Sequence, residues 1–171
     1  MKQLILALDP GSRVTGYGVV RVDGDRITHV AHGVIKLSEN WTFPERLRVL
    51  HTELNAIYAK YPARFTAVEK IFFGKNADSA FKLGHARGVC LMSAAANGSR
   101  VAEYAARYVK KALTGHGGAD KQQVQNMVFA ALKVRPEESA FDASDALSLA
   151  VCHARVFESE ERLLRMMEGA L

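Results

Sequence analysis

Four acidic residues stand where ordinary packing gives them no obvious place. Asp9 closes the apolar run Gln3–Asp9 (QLILALD), Glu69 interrupts FTAVEKIF at 65–72, and Asp142 and Asp145 open the apolar stretch FDASDALSLAV. An acid inside an apolar strand is costly without a partner, which makes Glu69 the hardest of the four to explain as structure alone. Asp142 and Asp145 are one helical turn apart and share a face at a helix start. Plainer readings stand beside the chemical one: Asp142 or Asp145 as cap or first-turn residues favoured by the helix dipole, and Asp9 as the start of a turn with Pro10 and Gly11. Four carboxylates drawn to one spot would repel and would not all stay ionised without compensation. Divalent cations supply that compensation, and an all-oxygen donor set selects Mg²⁺, with Mn²⁺ able to substitute. Two such ions per site would clamp the attacking water and the leaving oxygen of a phosphodiester in line.

The elements that must carry these acids read outward from them. Gln3–Asp9 has the pattern of a central strand buried on both faces. Pro10-Gly11-Ser12 is turn chemistry, 16–22 resumes as a strand, and Asp23-Gly24-Asp25 marks a tight hairpin into a third strand over 27–36. Over 44–61, Leu47, Leu50, Leu54, Ile57 and Tyr61 recur at steps of three and four, which predicts an amphipathic helix stopped by Pro62. A fourth strand is expected over 65–72, a helix over 79–96 and a fifth strand over 100–104. Helices follow over 105–113, 121–132 and 143–157, with a charged helical tail over 158–171. Three antiparallel strands followed by two reached through right-handed crossovers predict an α/β fold: a five-stranded mixed sheet with helices on both faces. Ligand sites in such sheets collect at the carboxyl ends of central strands, where Asp9 and Glu69 fall.

The bulk numbers set the frame. A chain of 171 residues suits one domain, 1–171, with a real core. The longest apolar runs fall short of a membrane span, and 4–8 is too short for a signal-peptide core, so no membrane partner and a cytoplasmic location are expected. Cys90 and Cys152 lack metal-ligand spacing and read as reduced core residues. A net charge of +5 favours a polyanionic partner.

Several residues could meet such a partner. Phe72 and Phe73 follow Glu69 by three and four positions; neighbours on a strand alternate faces, so one packs inward and the other is available to stack on an unpaired base. Position alone leaves open which does which. Lys110 and Lys121 flank the glycine-rich connection 114–120, expected to be the most mobile, and are either solvated helix charge or phosphate contacts. Arg13, Arg107 and Lys111 are further candidates for phosphate contacts. Ala80, Gly84 and Gly88 recur at four-residue steps where glycine costs helix stability, which suggests that another backbone comes close: the chain's own sheet, or a second copy. His85, His116 and His153 show no ligand spacing and read as structural or surface residues.

Four stretches, DPGSRVTGYGV from Asp9, VEKIFFGKNADSAFKLGHARGV from Val68, EYAARYVK from Glu103 and DASDALSLA from Asp142, resemble the RuvC Holliday-junction resolvases in order and over nearly the whole chain. The resemblance implies a ribonuclease-H-like fold, a homodimer, and Mg²⁺-dependent symmetric cutting of four-way DNA junctions in homologous recombination and repair. It also implies nicks that ligase can seal, a preference for short thymine-containing sites, and work with the RuvA–RuvB branch-migration complex. It places the catalytic, metal-holding acids on Asp9, Glu69, Asp142 and Asp145, the base-stacking wedge on Phe72, and lysines near the scissile phosphate on Lys110 and Lys121. Only 134–140 is less like the family. Rival readings are a related ribonuclease-H-fold nuclease acting on other branched DNA or on RNA, and a junction-binding module without catalysis. An ATPase of the actin and sugar-kinase type also begins with an acid and a glycine turn, but it needs two such domains.

Overall fold

The computed structural model describes residues 2–70, 77–134 and 141–168, with only the backbone described at 141 and 158–168. The elements run β1 (Gln3–Asp9), β2 (Val14–Asp23), β3 (Arg26–Lys36), α1 (Phe43–Lys60), β4 (Phe65–Glu69), α2 (Ala77–Ala96), β5 (Arg100–Tyr104), α3 (Ala106–Thr114), α4 (Lys121–Leu132) and α5 (Phe141–Glu168). They form a five-stranded sheet in the order β3-β2-β1-β4-β5. β1 pairs antiparallel with β2 along its whole length, from Gln3↔Val22 to Asp9↔Gly16, and parallel with β4, from Ile5↔Phe65 to Leu8↔Val68. β3 is antiparallel to β2, and β5 is parallel to β4. The mixed sheet expected from the sequence is therefore present, with the fourth strand beside the first.

Alternation along the central strand explains why β1 is apolar almost throughout. Ile5 and Ala7 enter one core with Val20, Ala67 and the inward faces of α3, α4 and α5. Leu6 and Leu8 enter the other with Val19, Val68 and the inward faces of α1 and α2. Cys90 and Cys152 are free thiols, one buried in each core.

Helix ends follow local chemistry. At the head of α1, the Thr42 backbone N–H and hydroxyl both donate to Glu45 Oε2, at 2.7 and 2.8 Å. At the head of α4, Asp120 Oδ1 accepts from the Gln123 N–H at 2.8 Å while Gln123 Oε1 accepts from the Asp120 N–H at 3.2 Å. α3 ends at Gly115 with φ +78°, a left-handed conformation that glycine adopts without strain.

Some boundaries differ from expectation. β4 ends at Glu69, with Lys70 already outside it, so its acid is the terminal residue of the strand; positions 71 and 72 of the expected strand lie outside the described residues. The last helix runs unbroken to Glu168, so the charged tail continues α5. No helix among the described residues is long and apolar enough to cross a membrane.

Candidate active site

Asp9 and Glu69 end two adjacent parallel strands, one residue beyond the registered pair Leu8↔Val68. Alternation points both carboxyls to the face that holds Ala7 and Ala67, beneath α3, α4 and α5. Glu69 is the acidic neighbour acting most strongly on the Asp9 carboxyl. Burial first, then Glu69, Asp145 and Asp142, push the Asp9 carboxyl up to about 8. Glu69, Asp142 and Asp145 thus all act on Asp9, although the four acids come from three separate elements.

The two late aspartates arrive because β2 lacks side chains where α5 crosses it. A Cβ on Gly16 would lie 2.0 Å from the Asp142 carbonyl oxygen, and one on Gly18 would lie 2.8 Å from the Leu147 nitrogen. Gly16 pairs directly with Asp9, so the helix start is seated against the end of β1. The turn that follows Asp9 is pinned by Thr15, fully buried, whose Oγ1 accepts from the Gly11 N–H and donates to the Gly11 carbonyl, both at 3.2 Å. The spacing of Gly16 and Gly18 carries this information, since glycines at alternate strand positions leave one face open to close backbone approach.

Positive charge reaches the acids from α3 and α4. Lys121, the first residue of α4, places Nζ 2.6 Å from Asp145 Oδ2, and that hydrogen bond raises the Lys121 pKa. Lys110, half-buried on α3, joins Lys121, Asp9, Glu69, Asp145 and Ser148 in lining a cleft of about 80 Å³. Such a space takes a few waters or ions and is too small for a nucleotide. Among the described residues no three His, Cys, Asp or Glu side chains are gathered around a single ion position. The Asp145 carboxylate is instead engaged by Lys121.

The remaining candidates are more dispersed. Arg13 forms an exposed ion pair with Glu39 at 3.0 Å. Arg107 is exposed with its side chain against Gly117, and Lys111 is exposed on α3. Gly84 and Gly88 are exposed with open space above them, while Ala80 is half-buried, so the two glycines face away from the chain's own sheet. Phe72 and Phe73 lie outside the described residues. His85 and His116 are exposed; His153 is buried, bonded through Nδ1 to the Tyr104 hydroxyl at 2.7 Å, and burial lowers its pKa to about 4. Arg87 was not a candidate, yet its Nε donates to the Glu69 carbonyl oxygen at 3.3 Å and its Nη2 pairs with Glu103 Oε1. No sequence spacing announces a contact from the middle of a helix to the ends of two strands.

A family model described as crossover junction endodeoxyribonuclease RuvC matches residues 5–153. The chain belongs to this family. The crossover junction endodeoxyribonuclease RuvC of Bdellovibrio bacteriovorus is 48% identical over 164 residues, 96% of either chain. A solved structure of T. thermophilus RuvC in complex with Holliday junction substrate superposes with a TM-score of 0.86 at 31% identity, covering 92% of this chain and 96% of that one. The yeast mitochondrial Holliday junction resolvase, at 12% identity and a TM-score of 0.70, covers 98% of this chain and 86% of its own and shares the fold alone. The sheet of this RuvC-family chain is thus that of the ribonuclease-H-like resolvases.

Proposed function

We propose that this chain is a structure-selective endodeoxyribonuclease that resolves four-way (Holliday) DNA junctions by Mg²⁺-dependent symmetric phosphodiester hydrolysis, in homologous recombination and DNA repair. One observation carries the reading: two carboxyls, Asp9 and Glu69, end adjacent central strands side by side, with Asp142 and Asp145 also acting on Asp9, in a chain of an endodeoxyribonuclease family. Asp9, Glu69, Asp142 and Asp145 are the residues that would hold Mg²⁺, or Mn²⁺ in its place, as two ions per site. Their donors are all oxygens, and burial together with the neighbouring acids pushes the Asp9 carboxyl up to about 8, so its ionised form lacks a stabilising counter-charge that a cation would supply. Bound there, the ions would activate a water and stabilise the leaving oxygen.

The chain's own residues do the rest. Lys110 and Lys121 bring fixed positive charge to the rim of the acidic cleft, where a scissile phosphate would lie. The Lys121 side chain is 59% exposed, so its ammonium could exchange Asp145 for a phosphate oxygen. Arg13, Arg107 and Lys111 would meet the DNA backbone farther out, so affinity should fall steeply with salt. Phe72, with Phe73 as the alternative, is the proposed wedge against an unpaired base, and Phe72→Ala should lose cutting more than binding.

The exposed side of α2 supports a homodimer. Phe81 and Met92, 69% and 52% exposed, share a helical face with the uncovered Gly84 and Gly88, leaving an apolar strip on which a second copy's helix could pack closely. Cytoplasmic action alongside RuvA–RuvB completes the reading.

The test is wild-type protein with labelled four-way junction, linear duplex and RNA–DNA hybrid, each in Mg²⁺ and in chelator. Paired symmetric cuts in the junction alone, and only with Mg²⁺, are expected. Equal cutting of the hybrid would favour the related nuclease, and junction binding without any cutting would favour the non-catalytic module.

A further inference from the structure

Glu69 is held by the sheet on one side only. The registered pairs between β1 and β4 stop at Leu8↔Val68, whereas the pairs between β4 and β5 continue to Glu69↔Tyr104. One residue farther, the Lys70 N–H still donates to the Tyr104 carbonyl oxygen at 2.8 Å. The main chain that carries the acid therefore leans on β5, and its β1 edge has no ladder partner at that position.

Arg87 of α2 supplies the missing restraint. Its Nε donates to the Glu69 carbonyl oxygen at 3.3 Å while Nη2 of the same guanidinium pairs with Glu103 Oε1 on β5. Glu103 is in register with Val68, so one planar group spans from the neighbouring strand to the carbonyl of the acid itself. The Arg87 side chain is only 22% exposed, which protects both interactions from full solvent screening. A guanidinium makes two such bonds in a fixed fork, whereas an ammonium acts as a single point of charge.

We infer that Arg87 is a positioning residue for Glu69: it fixes the strand end that carries the carboxylate and ties that carboxylate to α2. The inference rests on the reading of Glu69 as a metal-holding acid. Arg87 touches none of the reacting atoms, and its effect passes through the Glu69 main chain.

The experiment compares Arg87→Met, Arg87→Lys and Glu103→Gln in the full chain. It reads Mn²⁺ affinity by calorimetry without DNA, single-turnover junction cutting, junction affinity in chelator, and the thermal midpoint. Arg87→Met should weaken Mn²⁺ binding and slow cutting by about 10- to 100-fold, the usual cost of losing a group that orients a metal-holding side chain, with junction affinity changed by less than about twofold. Glu103→Gln should show a smaller loss of the same kind, and Arg87→Lys should fall between Arg87→Met and wild type. A merely structural ion pair would lower the thermal midpoint in Arg87→Met and Glu103→Gln alike while leaving Mn²⁺ affinity and the rate per folded molecule at wild-type values. That result overturns the inference. Should Arg87→Met not fold, Arg87→Lys and Glu103→Gln decide it on the same readouts. Glu69→Gln separates the two levels: if it cuts normally, the reading of Glu69 itself has failed. If Glu69→Gln is inactive while the Arg87 variants behave as wild type, only the positioning role has failed.

Discussion

Thr66 and Glu69 lie three residues apart on β4, and their polar groups are served in opposite ways. Thr66 Oγ1 sits between the Tyr58 hydroxyl at 2.8 Å and the Ser99 Oγ at 2.7 Å, a closed chain of neutral groups in a buried setting. Burial pushes Tyr58 up to about 12, so it remains a neutral partner at any ordinary pH. Each hydroxyl there can both give and receive, and nothing further is needed. At the other end of the strand, Asp9 and Glu69 have mainly each other, with two more aspartates adding to the repulsion and Lys121 committed to Asp145. A satisfied polar cluster holds a fold together, whereas a cluster of like charges is kept at the fold's expense and points to something that binds there.

Substitutions at either end of β4 test this difference. The largest effect is expected from Asp9→Asn: junction cutting should fall by about 10³-fold while binding in gel-shift assays is retained, because the fold does not need this charge. Next comes His153, which packs against Phe65 at the start of β4 with ring centroids 5.9 Å apart. Its folded pKa of about 4 lies below the ordinary 6.5, so above 6.5 it costs nothing. As pH falls from 6.5 towards 4 the unfolded chain takes up a proton that the native state refuses, and about 3 kcal/mol of stability is lost. Urea unfolding at several pH values should show this slope in wild type and a flatter one in His153→Phe. Gly16→Ala places a methyl against the Asp142 carbonyl and should cost about 1–3 kcal/mol in denaturant unfolding, with cutting reduced as well because α5 carries two of the acids. Smallest is Tyr58→Phe, which leaves Thr66 and Ser99 bonded to each other; about 1 kcal/mol of stability should go with no change in cutting rate.

The sequence disclosed the acids and the sheet because both are written locally. Gln3–Asp9 and Lys121–Leu132 were legible to the residue, the first because an apolar run ending at Asp9 is visible in the chain itself. Partnerships across elements were not. The reason for Gly16 and Gly18 lies in the backbone of α5, 126 positions farther along for Gly16 and Asp142. Lys121 was foreseen as a possible phosphate contact, but its bond to Asp145 depends on how α4 settles on α5. Arg87 shows the same gap more sharply, for nothing in its surroundings along the chain distinguishes it from an ordinary solvated helix charge.

Thermal unfolding of wild type and Asp9→Asn, each in chelator and in Mg²⁺, tests most directly whether the acids are a counter-charge awaiting a cation. In chelator, Asp9→Asn should unfold at or above the wild-type temperature because a repelling carboxyl has been removed, and Mg²⁺ should raise the wild-type midpoint while leaving the variant nearly unmoved. A variant less stable than wild type in chelator, together with a wild-type midpoint that ignores Mg²⁺, would make the four acids structural and contradict the account.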